Sequence, residues 1–241
     1  MTAPLLDVRT ASRSFSGLLA VDSVSFALNE GETVAIIGPN GAGKTTLFNL
    51  ISGQLAPTGG SIHLRGEAID RLPPDARARR GIGRTFQVTK PLTGMTALEN
   101  VMVGTFLHHR GFNESYASAY AILEEVGLAP RAQVQVNELT LSERRRLEVA
   151  RALGTDPALI LLDEVMAGLN ATEINAQIEL IRQIGARGIA FLLIEHNLEV
   201  VRSFSRRVIV LDHGAKIAEG TADEVLSDPA VIEAYLGKQD E

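Results

Sequence analysis

The chain of 241 residues is 45 % hydrophobic and 22 % charged, carries a net charge of −6 and has no cysteine. That balance describes an ordinary globular protein, argues against a general nucleic-acid binder, and leaves no disulfide, thiolate or cysteine–metal chemistry. The first ten residues include Asp7 and no long apolar core, and the most apolar run, Ile189 to Ile194, is too short for a bilayer, so neither a signal peptide nor a membrane span is expected and the chain reads as cytosolic.

In chain order, residues 5–10 and 21–28 cluster apolar side chains as short strands do, with Ser14-Phe15-Ser16-Gly17 a turn between them. Thr33 to Ile37 is strand-like, and Lys44 to Ser52 is a helix stopped by Gly53. Ser61 to Leu64 is a short strand between glycines. Pro73 to Arg84 is basic and polar and leads into Thr85-Phe86-Gln87. From about residue 90 the pattern turns helical. Thr96-Ala97-Leu98-Glu99 fits a capping box. Tyr116, Tyr120, Leu123 and Gly127 share a helical face, and a third helix runs from Ser142 to Leu153, with Arg144, Arg145 and Arg146 crowding its first turn. Leu159 to Leu162, Phe191 to Ile194 and Val208 to Leu211 are continuous apolar runs, as in strands covered on both faces. Thr172 to Ala186 is helical, Thr221 to Glu224 is a second capping box, and Asp228-Pro229 opens a last helix that Gly237 ends. Strand–helix alternation predicts a layered, parallel α/β core, which the helical stretch at 90–150 interrupts as a lobe of its own.

The loop Gly38-Pro39-Asn40-Gly41-Ala42-Gly43-Lys44-Thr45-Thr46 lies between a buried strand and a helix N-terminus. Backbone N–H groups and the helix dipole can hold a nucleotide phosphate there. Gly38, Gly43, Lys44 and Thr45 meet the G-x-x-x-x-G-K-[ST] pattern, with Lys44 reaching the β- and γ-phosphates and the Thr45 hydroxyl on Mg²⁺. The strand Leu159 to Leu162 ends in Asp163 and Glu164. Asp163 suits Mg²⁺, and Glu164 is placed to polarise a water against the γ-phosphate. Gln87, between core and helical lobe, is a candidate for Mg²⁺ or the attacking water. His196 follows a strand end, where α/β sites are built, and can hydrogen-bond a γ-phosphate oxygen. Leu139-Thr140-Leu141-Ser142-Glu143 opens the arginine-rich helix as a second anion-binding element; taken alone, it is an ordinary helix start capped by Ser142.

In this order and spacing the motifs resemble the ATPase subunit of ABC transporters: residues 38–45 a Walker A motif, Gln87 a Q-loop, residues 139–143 a signature motif, residues 160–164 a Walker B motif and His196 a switch histidine. Gly83-Arg84-Thr85-Phe86-Gln87, the run from Leu98 to Gly104, Arg145 to Leu153, Ile194-Glu195-His196-Asn197 and the tail from Ala218 to Gly237 are similar to the branched-chain amino-acid importer ATPases. The resemblance implies a P-loop NTPase fold with a small antiparallel β subdomain and an inserted helical lobe, one ABC ATPase domain over residues 1–241 in which residues 1–89 and 151–241 form the nucleotide-binding core and β subdomain. It implies ATP and Mg²⁺ as ligands, and Phe15 stacked on adenine. It also implies a second ATPase subunit, identical or a paralogue, whose signature segment completes the ATP site. Transmembrane permease subunits would hold the chain on the inner face of the plasma membrane, with an external solute-binding protein in the whole system. Departures from the family's Leu-Ser-Gly-Gly-Gln fall at Thr140, Leu141, Ser142 and Glu143; Glu143 adds negative charge near the nucleotide. Val165 stands for the usual Pro and Asn170 for the usual Asp. Two other readings stay open: a soluble ABC-type ATPase on nucleic acid, for which Arg77, Arg79, Arg80, Arg84 and Arg144 to Arg146 are the only support against a solvated face or a contact to a transporter partner, and a weakly catalytic nucleotide-dependent regulator.

Overall fold

A computed structural model describes residues 3–85, 92 and 94–236. The chain opens with the hairpin β1 (Leu6–Phe15) and β2 (Leu18–Leu28), both longer than their apolar clusters predict. Its two turn residues, Ser16 and Gly17, have φ of 45° and 92°, the left-handed pair whose twist matches antiparallel strands. Next come β3 (Thr33–Ile37), α1 (Lys44–Ser52), β4 (Gly59–Leu64), β5 (Glu67–Ala68), α2 (Pro74–Arg79) and β6 (Ile82–Arg84). The helices α3 (Ala97–Thr105), α4 (Phe112–Glu125) and α5 (Leu141–Leu153) follow, then β7 (Leu159–Asp163), α6 (Ala171–Gly185), β8 (Ala190–Ile194), α7 (Leu198–Phe204), β9 (Arg207–Asp212), β10 (Ala215–Gly220), α8 (Ala222–Leu226) and α9 (Pro229–Leu236).

Two sheets result. One is antiparallel, in the order β2-β1-β4-β5; the other has the order β10-β9-β3-β8-β7-β6, parallel except for the edge strand β10. Successive side chains of the central strands point to opposite faces, and both faces are buried. Val34, Ile36, Leu161 and Leu192 join α1 and the antiparallel sheet in one core. Ala35, Ile37, Leu162 and Leu193 join the helical residues from 97 to 153 in the other. This is the α/β cassette core, antiparallel sheet and inserted helices that the motifs imply.

Some local expectations change. Tyr116 and Tyr120 do not share the buried face of α4. They stack on its outer flank, ring centroids 6.4 Å apart, while Ser115, Ala119 and Leu123 face inward. Small residues win that face because α4 lies close on α3, where Ser115 Oγ and Thr105 Oγ1 are 2.5 Å apart. The stretch Pro73 to Arg84 holds α2 and β6, elements too short to show a period. Its arginines are not all a solvated face. Arg77 is 1 % exposed and donates to the carbonyls of Leu50, Ile51, Asp70 and Leu72, a cation at the C-terminal end of α1 where the helix dipole favours it. Burial pushes its guanidinium down to about 10. Arg84 and Arg145 are likewise turned inward. These three are therefore removed from any surface that could track a nucleic-acid backbone.

Candidate functional site

In the six-stranded sheet β3, β8 and β7 are adjacent and parallel, and Ile36, Ile194 and Asp163 lie in one row across it. The loops that leave these strands emerge at their common carboxyl end, where open α/β sheets bind ligands. Three stretches expected from sequence thus come together: residues 38–46 after β3, Asp163 and Glu164 at the end of β7, and His196 after β8.

The glycine loop is shaped by what a side chain would strike. At Gly38, with φ of 147°, an added Cβ would lie 2.1 Å from the Leu211 carbonyl oxygen; at Gly43, with φ of 97°, 2.3 Å from that of Ala20. Only glycine fits such closely approached, left-handed positions. Lys44 is buried and its ammonium donates to the carbonyls of Gly38 and Pro39 at 2.7 and 2.9 Å. Its charge is thereby held on the axis of the loop. Thr45 is exposed on the first turn of α1, as are Asn40 and Gly41 on the loop's crest. Gln87 lies outside the described residues.

Asp163 and Glu164 diverge. Asp163 is buried: Arg84 Nη2 is 3.4 Å from its Oδ2, and its backbone N–H donates to Thr85 Oγ1. Arg84 also donates to Asn49 and Ser52 of α1, tying β7 to the helix that follows the glycine loop. Burial pushes the Asp163 carboxyl up, and Arg84 opposes that. Its other oxygen, Oδ1, is buried without a hydrogen-bond partner among the described residues. An acceptor so placed, with the Thr45 hydroxyl at the loop, fits the all-oxygen preference of Mg²⁺. Glu164 adopts φ of 52°, a left-handed backbone uncommon for a residue with a Cβ and frequent at functional sites. Its Oε1 lies 2.7 Å from His196 Nε2, so the histidine assigned from sequence to a phosphate is paired here with the carboxylate assigned to the water. Phe15 ends β1 half-exposed, with the Arg13 guanidinium 4.7 Å over its ring.

The signature segment differs from its bland reading in one respect. The cap of α5 is Thr140, not Ser142: Thr140 Oγ1 accepts from the Glu143 N–H at 3.2 Å, and Glu143 Oε2 accepts from the Thr140 N–H at 2.8 Å. Glu143 is also engaged by Arg131 at 2.8 Å. Burial alone would raise its carboxyl; the Thr140 N–H and Arg131 outweigh that and hold it below the usual range. Its charge is thus largely answered within the chain rather than directed at a nucleotide. Leu139 is buried, Leu141 and Thr140 are exposed, and Ser142 is half-buried at the helix start. Asn170, standing for the usual Asp, caps α6 in a capping box with Glu173.

Sequence reasoning missed Glu195. It is 5 % exposed and accepts from the Met166 N–H at 3.3 Å. Burial pushes it up to about 7, helped by the nearby Glu164 charge and opposed by the Met166 and His196 N–H groups and by Arg145. Glu148, paired with Arg145 at 3.2 Å, is also raised to about 7 by burial. Both folded values lie above the ordinary 4.5. The folded state therefore binds the extra protons, and the contribution of these two groups to stability is full below pH 4.5 and is lost as pH rises through 7. Melting between pH 5 and pH 8 is expected to show this loss. Glu195→Gln should remove its own share, on the order of 3 kcal/mol at most. An equal slope in wild type and variant would contradict the assignment.

The family described as ABC transporter matches residues 21–167, and one described as branched-chain amino acid ATP-binding cassette transporter matches residues 215–241. The high-affinity branched-chain amino acid transport ATP-binding protein LivG of Salmonella typhimurium is 40 % identical, aligned over 99 % of this chain and 100 % of its own. BraF of Pseudomonas aeruginosa, described in the same words, is 39 % identical over the same shares. Among solved structures, a nucleotide-free ATP-binding cassette from an ABC transporter superposes with a TM-score of 0.90 at 32 % identity, covering 98 % of this chain and 100 % of that one. An ABC transporter cassette in its ADP conformation gives 0.89 at 33 % identity, with the same coverage. With this likeness running through the glycine loop, the paired carboxylates and the helical insertion alike, the chain belongs to the ABC transporter family, as one of its ATP-binding, ATP-hydrolysing cassettes.

Proposed function

We propose that this cassette drives a membrane importer for branched-chain amino acids or related small solutes. The observation that carries the hydrolytic part is the Glu164–His196 pair, 2.7 Å apart at strand ends beside the glycine loop. The cargo rests on the relatives' names and on the match at residues 215–241.

In this reading the N–H groups of residues 38–46 and the Lys44 ammonium cradle the triphosphate, and the open side of Phe15 takes adenine. Thr45, Asp163 and Gln87 would hold Mg²⁺, which would supply charge neutralisation for the β- and γ-phosphates. Glu164 accepts a hydrogen bond from the attacking water and polarises it. His196 fixes the orientation of Glu164 and offers its ring to the γ-phosphate side. Two cassettes, identical or paralogous, pack head to tail so that Thr140, Ser142 and the start of α5 of each complete the other's site. The lobe at 90–150 passes the closing motion to transmembrane permease subunits at the inner face of the membrane, and an external binding protein presents the solute. Among the described residues no helix is long and apolar enough to cross a membrane.

Ser142→Arg tests the pairing. It should leave MgATP binding to the single chain intact, because residues 38–46 are untouched. It should abolish ATP-driven dimerisation and turnover of the variant with itself, because a long side chain then blocks close approach at the start of α5 at both sites of the pair. A variant that still doubles its mass with MgATP would contradict the pairing. Cargo is tested by ATP-driven uptake of labelled leucine in vesicles holding the chain with its co-purifying membrane subunits. Uptake indifferent to excess isoleucine and valine would contradict that assignment.

A further inference from the structure

The segment that follows Glu164 is held from two sides by buried polar side chains that the phosphate chemistry does not use. Just past β8, Glu195 accepts from the Met166 N–H at 3.3 Å, and the His196 N–H also points at its carboxylate. One buried side chain therefore joins the loop that carries Glu164 to the loop that carries His196. From α5, Arg145 donates to the Ala167 carbonyl through Nη2 at 3.2 Å, and to Glu148 through Nη1 at 3.2 Å. Arg145 is 7 % exposed and Glu148 5 %. One residue on, Gly168 lies close to the start of α5, where an added Cβ would fall 2.9 Å from Leu141 Cδ2.

Residues 165–168 thus lie between the end of β8 and the start of α5. Among the described residues, their own backbone supplies short turn bonds, Ala167 N–H to Glu164 O and Leu169 N–H to Met166 O. Those bonds leave Glu164 in a left-handed conformation with φ of 52°, which persists only where the surroundings over-determine it. The Glu164 N–H donates to the Ile194 carbonyl at 3.1 Å, Val165 and Met166 are packed in the core, and Glu195 and Arg145 complete those surroundings.

We infer that Glu195 and Arg145 are positioning residues for ATP hydrolysis, which clamp residues 165–168 so that Glu164 meets His196 and moves together with the start of α5. The inference rests on the catalytic role proposed for Glu164. It has a physical consequence: the α5 start that would meet the partner's nucleotide and the carboxylate that would serve the chain's own are connected through Arg145, Ala167 and two further residues. A displacement at one is carried to the other by these hydrogen bonds together with the core packing of Val165 and Met166.

The test is a double-mutant cycle in single-turnover hydrolysis, with MgATP affinity measured alongside. Glu195→Ala removes the acceptor for Met166 and should slow hydrolysis roughly 10- to 100-fold, the scale of a small misplacement of a reacting group, while MgATP affinity stays that of the wild type. Glu195→Gln keeps an oxygen facing the Met166 N–H and should restore the rate. In the Glu164→Gln background, Glu195→Ala should have no further effect, because a residue that acts through Glu164 has nothing left to position. If Glu195→Ala does not fold, Arg145→Lys carries the test: it keeps the buried charge and loses the forked grip on Ala167 and Glu148, and should show the same slowing, affinity and non-additivity. A wild-type rate in Glu195→Ala or its stand-in, or a slowing that adds in full to that of Glu164→Gln, overturns the clamp and leaves the role of Glu164 standing. A Glu164→Gln chain with the wild-type rate removes that role, and the clamp falls with it.

Discussion

In a single-turnover experiment with MgATP, Glu164→Gln is expected to hydrolyse at least about a hundredfold more slowly than the wild type, the usual scale of general-base help, while still binding ATP. Asp163 turns inward to Arg84 while Glu164 turns to His196, so the two carboxylates face different sides, one suited to the metal and the other to the water. Hydrolysis with a loose, in-line transition state asks little of the protein beyond orienting and polarising that water. Glutamine keeps the shape and the hydrogen bond to His196 but loses the charge and basicity. Losing a negative charge beside the γ-phosphate should also hold the ATP-bound pair closed for longer, so the dimer population in MgATP rises as the rate falls. A variant that turns over like the wild type would show that another group positions the water.

Lys44→Ala is expected to weaken MgATP binding strongly, by roughly 10- to 150-fold for each charged hydrogen bond to phosphate that is lost. The Lys44 ammonium is already buried within the loop, on the carbonyls of Gly38 and Pro39. Its position needs no search when phosphate arrives, and its removal takes a donor from both carbonyls, Pro39 keeping the Ala42 N–H. Arg84, the cation nearest in role, is committed to Asp163, Asn49 and Ser52. Calorimetry decides: an unchanged MgATP affinity would remove Lys44 from the site.

What could be seen in the sequence was what depends on near neighbours. The glycine loop is legible because its conformation, its strand and its helix all lie within some twenty residues. The capping boxes at Thr96 and Thr221 are legible because each closes over three residues, and both form as expected. The cap of α5 was misplaced by two residues for the same local reason, since Thr140 and Ser142 are both good caps and only the bond to Glu143 separates them. Arg77 looked like one more surface arginine because its acceptors Leu50 and Ile51 lie 27 and 26 positions away. Glu195 carries no role of its own in the sequence beside His196: its partner Met166 is 29 residues distant, and neither residue has a pattern that points to the other. Tyr116 and Tyr120 show the limit of periodicity, which finds a helical face but not whether bulk or smallness is wanted against the neighbouring helix.

The central claim is an ATP site completed by two chains, and subunit complementation tests it most directly. Lys44→Ala spoils the phosphate loop and Ser142→Arg spoils the segment offered to the partner. Each alone is expected to be inactive, since every site in either pair then has one bad half. Mixed, the two variants form pairs in which one site joins an intact Lys44 loop to an intact Ser142 segment, and steady-state ATP hydrolysis should reappear. If the mixture stays as inactive as its parts while mixed pairs form, or if either variant alone hydrolyses ATP at the wild-type rate, the site is not shared in the way proposed.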